Sequence, residues 1–201
     1  IVVDRIDETR QTVLRGLGDL HVTVTIERLA RKYGVDVDTA DVRVPYRETI
    51  AGRVECEGKL KKQSGGHGQF AVANLRVSPL ERGSGFRFVD SVVGGAIPRN
   101  YIPAVQKGVE DTMTSGGLHG FPVVDVEVEV IDGKYHSVDS SEMAFKTAAS
   151  TGFKDALAKA GVIVLEPVSL VEITVPDGYQ GDVMSDITGR RGRVLGTSSN
   201  G

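Results

Sequence analysis

Between Pro122 and Asp132, Val124, Val126, Val128 and Val130 alternate with Asp125, Glu127 and Glu129. A period of two puts the valines on one face and the carboxylates on the other. This pattern predicts a half-buried strand with one wet face, so apolar side chains from elsewhere must cover its dry face. Two helical stretches can do so. After Pro98, the apolar residues Ile102, Val105, Val109 and Met113 recur at helical spacing until Gly116-Gly117. A second helix runs through Ala160 to a stop at Gly161, and Asp139-Ser140-Ser141-Glu142 has the spacing of its capping box.

The rest of the central region reads as strands. Val42, Val44 and Tyr46 alternate with polar neighbours, Gly52–Lys62 is a long strand, Gln69–Pro79 is another, and Phe86 and Phe88 mark a short one. Gly-Gly within the connection Gln63–Gly68 signals a hairpin. The expected fold is α+β, with helices on one face of a mixed sheet. On the N-terminal side, a strand at 11–15, an amphipathic helix at 19–33 stopped by Gly34, and a strand at Val35 and Val37 form a β-α-β unit. That unit is too short to bury a good core alone and reads as half of a ferredoxin-like domain. After Glu166-Pro167, a strand at 168–175, a helix at 179–188 and a strand from Arg190 start a second such unit. The division is 1–41, 42–165 and 166–201, and the chain reads as a piece of a longer one.

The formal net charge is -3, and residues 41–165 hold 15 basic against 15 acidic side chains. A generic phosphate-backbone binder carries a basic excess, so any RNA contact has to come from local geometry. A DNA partner is not expected on that balance of charge, nor a membrane, since no apolar run is long enough to span a bilayer. Cys56 is the only cysteine, which rules out an internal disulfide and suits a reducing, cytoplasmic setting. It sits in an alternating run and reads as a small strand residue.

No G-x-x-x-x-G-K-[ST] phosphate loop occurs. Gly65-Gly66-His67-Gly68 leads into a strand rather than a helix, so it cannot place a helix N-terminus under a phosphate. His21, His67, His119 and His136 lack metal-ligand spacing, and no second cysteine exists to join them. His136, Asp139 and Ser140 invite a catalytic triad, but a triad is a geometry and not a spacing. Helix capping explains Asp139 and Ser140 more simply. No catalytic residue is therefore expected, and neither a free-standing enzyme built on His136 nor a stand-alone RNA-binding module is preferred. Two loops stand out instead: 63–68, a small-residue finger between long strands, and 132–138, which carries His136.

Several segments, in order along nearly the whole chain, resemble elongation factor G. Gln63-Ser64-Gly65-Gly66-His67-Gly68-Gln69-Phe70 is similar to the tip hairpin of domain IV, and Tyr46-Arg47-Glu48-Thr49-Ile50 to that domain's opening. Ile97-Pro98 with Tyr101–Val105, and Gly120–Asp125, resemble its middle. Tyr135–Lys146 resembles its second tip loop and following helix. Gly16–His21 is similar to the end of domain III, and Leu165-Glu166-Pro167 with Gly181–Val183 and Arg190-Arg191-Gly192 to the start of domain V.

The resemblance implies an elongated domain IV with a fold shared by some small ribosomal proteins and the ribonuclease P protein, flanked by partial ferredoxin-like domains III and V. It implies a ribosome partner: an arm whose tip enters the small-subunit decoding region beside messenger and transfer RNA during translocation. Gln63, Ser64, Gly65, Gly66, His67, Gly68, Gln69, His136 and Asp139 would be the tip residues. Lys59, Lys61 and Lys62 would add positive charge, and Arg190, Arg191 and Arg193 are further candidate ribosomal RNA contacts, equally readable as helix-end cations. GTP and magnesium would belong to a GTPase domain outside this sequence, leaving no cofactor here. Three departures stand out. His67 replaces the usual basic residue after the tip Gly-Gly, Asp19 replaces the usual Glu, and Ala71-Val72-Ala73-Asn74 differs from the family's strand. They open the alternative of a paralogue serving ribosome recycling, rescue or protection.

Overall fold

Strands β1 (Val2–Ile6) and β2 (Gln11–Arg15) pair antiparallel and lead into helix α1 (Asp19–Tyr33). Gly34 ends α1 in the left-handed conformation that helix C-termini favour, at φ 65°. The structure is a computed structural model and describes residues 1–6, 9–63 and 68–198. It divides into two units, Ile1–Pro167 and Val168–Gly201.

The core of the first unit is a four-stranded sheet in the order β4-β5-β7-β6, made of β4 (Val54–Lys62), β5 (Gln69–Pro79), β6 (Phe86–Asp90) and β7 (Val126–Lys134). β4, β5 and β7 pair antiparallel in turn, while β6 runs parallel to β7. The mixed sheet and the α+β class are as expected. A smaller sheet joins β3 (Arg47–Ile50) to β8 (Val162–Leu165). Val126, Val128 and Val130 are fully buried, as their period demands.

Helix α3 (Glu142–Ala160) covers β4 and β5, and α2 (Ile102–Ser115) packs on α3. Tyr101 stacks on Phe145 at 5.0 Å, and Thr112 Oγ1 donates to Ser150 Oγ at 2.7 Å, so the two helices run parallel. Where α3 crosses β4, a Cβ on Gly152 would lie 2.7 Å from the Gly58 Cα. Strand and helix backbones touch there, and only glycine permits it on either side.

Several expected strands are absent or displaced. Residues 34–46 hold no strand, and pairing begins only at Arg47. Pro45 has no amide to give a ladder, and Val35 and Val37 meet no strand edge. The strand expected from Pro122 begins at Val126, because Asp125 turns out of the ladder at φ 58°. Its buried carboxylate instead accepts hydrogen bonds from the amides of Gly83 and Gly85, at 3.1 and 2.9 Å. In the second unit, α4 (Gln180–Gly189) forms as expected, but the described residues of 168–175 and 190–196 form no strand. A strand needs a partner edge, and alternation alone does not supply one.

Candidate nucleic-acid interface

The last pairs of the β4–β5 ladder are Lys61 with Phe70 and Lys62 with Gln69. On the other side of β5, the last pairs with β7 are Ala73 with Gly133 and Val72 with Lys134. The end of the hairpin and the connection from β7 to α3 therefore lie at one end of the sheet. Hydrogen bonds tie them together. The Phe70 amide donates to the Asp139 carbonyl at 2.8 Å, and Ser140 Oγ donates to the Phe70 carbonyl at 2.6 Å. Gly68 is drawn in so far that a Cβ would stand 2.9 Å from the Asp139 carboxylate. Ser64, Gly65, Gly66 and His67 lie outside the described residues. Gln63 and Gln69 are exposed.

The 135–140 loop is folded around His136. Its Nδ1 accepts from the Asp139 amide at 3.2 Å and from the Val138 amide at 3.3 Å. By this hydrogen-bond assignment the neutral tautomer carries its hydrogen on Nε2. The His136 side chain is 55% exposed and meets the Phe70 ring edge-on at 6.5 Å. Asp139 Oδ2 lies 3.5 Å from Nδ1. Ser140 Oγ accepts from the His136 backbone amide at 2.8 Å, not from the imidazole. Its proton goes to Phe70, so the three residues do not form a nucleophilic triad.

The expected helix cap is corrected. Ser141, not Asp139 or Ser140, is the N-cap of α3, and its side chain accepts from the Ala144 amide at 3.1 Å. Asp139 and Ser140 are instead spent on joining the loop to β5.

Charge is sorted along the wet face of the sheet. On β4, Glu55 and Glu57 lie toward the base and Lys59 and Lys61 toward the tip of this face, while Lys62, at the strand's end, has the parity of the opposite face. Lys59, Val72 and Lys134 form one cross-strand row, so two ammonium stems flank Val72 about 10 Å apart at ordinary strand spacing. Lys134 was missed in the sequence because the strand was read as ending at Asp132. Nearer the base, Arg76 bridges Glu55 at 2.7 Å and Glu129 at 2.8 Å, and Glu129 also accepts from Ser91 at 2.6 Å. The two carboxylates push the Arg76 guanidinium pKa up. The Ser91 hydroxyl, followed by Arg76, holds the Glu129 pKa below its ordinary value. Glu55 and Glu129 are thereby paired with Arg76, while Lys59, Lys61, Lys62 and Lys134 form no ion pair among the described residues.

The remaining candidates are not brought to this end by anything observed. Arg190 pairs with Asp186 at 2.8 Å, four residues before it, as a helix-end cation does. Arg191 and Arg193 follow it in the second unit. His21 Nδ1 accepts from the Leu17 amide at 3.3 Å, and the His119 amide donates to buried Glu48 at 2.9 Å. Among the described residues no three His, Cys, Asp or Glu side chains gather around a cation site. Among the described residues no helix is long and apolar enough to cross a membrane.

The chain matches three family models: elongation factor G domain III over residues 1–41, domain IV over 42–161 and the elongation factor G C-terminus over 163–201. It also superposes, over its whole length, on a crystal structure of a protein from Thermus thermophilus, with 40% identity and a TM-score of 0.85. The chain spans 30% of the length of that protein. It belongs to the elongation factor G family and is a translation elongation factor-like protein.

Proposed function

We propose that this chain is the ribosome-binding arm of an elongation-factor-G-like factor, acting in the cytoplasm. In this reading residues 1–41, 42–165 and 166–201 are portions of domains III, IV and V. The joined end of the β4–β5 hairpin and the 135–140 loop reaches the decoding region of the small subunit, beside transfer and messenger RNA, as they move. GTP turnover is the task of another domain of such a factor, and the arm performs no chemistry. The supporting observation is the sorted wet face: lysines 59, 61 and 134 gather on it, with exposed Lys62 at the strand's end, next to a loop that offers backbone, hydroxyl and imidazole groups. Phosphates would meet the lysines, while Gln63, Gln69 and His136 Nε2 would hydrogen-bond to phosphate or 2′-hydroxyl groups.

The test is co-sedimentation of the chain with small subunits across a salt series. Replacing Lys59, Lys61, Lys62 and Lys134 by Gln should weaken binding and lower the salt slope by about 0.7–0.9 per lost phosphate contact. Equal binding by the variant and the unchanged chain, or none by either, overturns the proposal. Asp19 and His67 raise the second reading, a paralogue in recycling, rescue or protection. A factor carrying this arm that replaces the main translocase in cells would exclude it.

A further inference from the structure

Three segments of the first unit enclose a cleft of about 500 Å³: the turn at Thr9-Arg10, the connector 43–46 and the loop 120–122. That size lies within the range of small-ligand pockets. Both walls are pinned. Gln11 Nε2 donates to the Asp41 carbonyl at 2.9 Å, and its Oε1 accepts from the Arg43 amide at 2.7 Å, fixing the connector against β2. Opposite, buried Glu48 Oε1 accepts from the Phe121 amide at 3.0 Å, and the Glu48 amide donates to the Pro122 carbonyl at 2.8 Å.

The lining is chemically unfinished. Arg10 and Arg43 are exposed, and neither guanidinium has a hydrogen-bond or ion-pair partner among the described residues. Arg10 also holds φ 55°, a conformation a non-glycine residue adopts at a cost. Thr9 Oγ1 is shut off from solvent and has no hydrogen-bond partner among the described residues. Tyr46 and Phe121 form a tilted aromatic pair, centroids 5.3 Å apart. Two such cations and a pair of rings suit a ligand that is both anionic and flat.

We propose that this cleft holds a single unstacked nucleotide of RNA. Its phosphate lies between Arg10 and Arg43, and its base packs on Tyr46 and Phe121. An acidic protein segment would answer the arginines but leave the rings unused. The proposal rests on the ribosome-binding reading for its RNA, yet concerns a different surface from the tip.

The test titrates the ¹⁵N-labelled chain with a fluorescein-labelled single-stranded RNA hexanucleotide, reading amide shifts and anisotropy. Shifts are expected at residues 9–11, 43–47 and 119–121. Arg10→Gln with Arg43→Gln should lower affinity at least tenfold and reduce the salt slope by about 1.4, at 0.7 for each single-strand contact. The double variant's amide spectrum away from the cleft reports that it remains folded. Shifts confined to residues 59–63, 68–70 and 134–139 overturn the cleft and leave the tip reading standing. A hexaglutamate peptide that shifts the cleft amides while RNA does not also overturns it, in favour of protein docking. Silence with both ligands overturns it as well, and small-subunit sedimentation then decides the ribosome reading separately.

Discussion

Ser140 Oγ gives its hydrogen to the Phe70 carbonyl and takes one from the His136 amide, so a single oxygen joins loop to strand. The next residue, Ser141, only caps α3. The two serines should therefore fail differently. Ser141→Ala is expected to cost about 1 kcal/mol by urea denaturation and leave the loop ordered. Ser140→Ala is expected to cost a similar amount, about 1–2 kcal/mol, because two backbone groups lose their partner. It should also speed hydrogen exchange at the Phe70, His136 and Asp139 amides, which Ser141→Ala should not. Identical exchange profiles for the two variants would refute the division of labour. Asp139→Ala should not lower helix stability, since Asp139 does not cap α3.

At the scale of elements, the tightest constraint is the crossing of β4 and α3 at Gly58 and Gly152. Neither glycine is there for a turn. Each lets one backbone lie on the other, and that contact sets the distance between helix layer and sheet. Gly58→Ala should destabilise the chain by about 1–3 kcal/mol or more, because neither backbone can move without opening the core around Ala148 and Leu75. Calorimetry reads the loss, and an unchanged melting temperature would show that the layers have slack. The same crossing anchors α3, whose N-terminus carries the 135–140 loop to the hairpin. A loosened core should thus be felt at the tip.

On the scale of the whole molecule, near-neutral net charge conceals a segregated one. Arg76 gathers Glu55 and Glu129 across three strands, with the Ser91 hydroxyl adding a third contact, to Glu129. Asp111 is likewise held below its ordinary range by Lys146 and then Lys107. Depressed carboxyl values mean that the folded state binds fewer protons than the unfolded chain. Their contribution is therefore complete above the unfolded values, 4.5 for Glu129 and 3.8 for Asp111, and is lost as pH falls through the lower folded values. The denaturation midpoint should hold from neutral pH to about pH 5 and drop below it. Glu129→Gln should flatten part of that drop, and an equal drop in the variant would remove Glu129 from the account.

Wherever a segment carries its own instructions, the sequence was sufficient. Helix α1 is bounded by Gly18 and Gly34, and α2 follows the turn that Pro98 opens and stops at Gly116, because capping, proline geometry and period are local. The family motifs are local too, which is why the two loops could be singled out together. Pairing is not local. Alternation at 35–37 and 168–175 found no partner edge, while β8, a plain apolar run after α3, found β3. Lys134 joined the lysines only through register, and the cleft at Thr9, Arg43 and Phe121 exists only because three distant segments converge. Free energy in a sheet or a cleft belongs to pairs of residues, so tertiary structure alone could decide those outcomes.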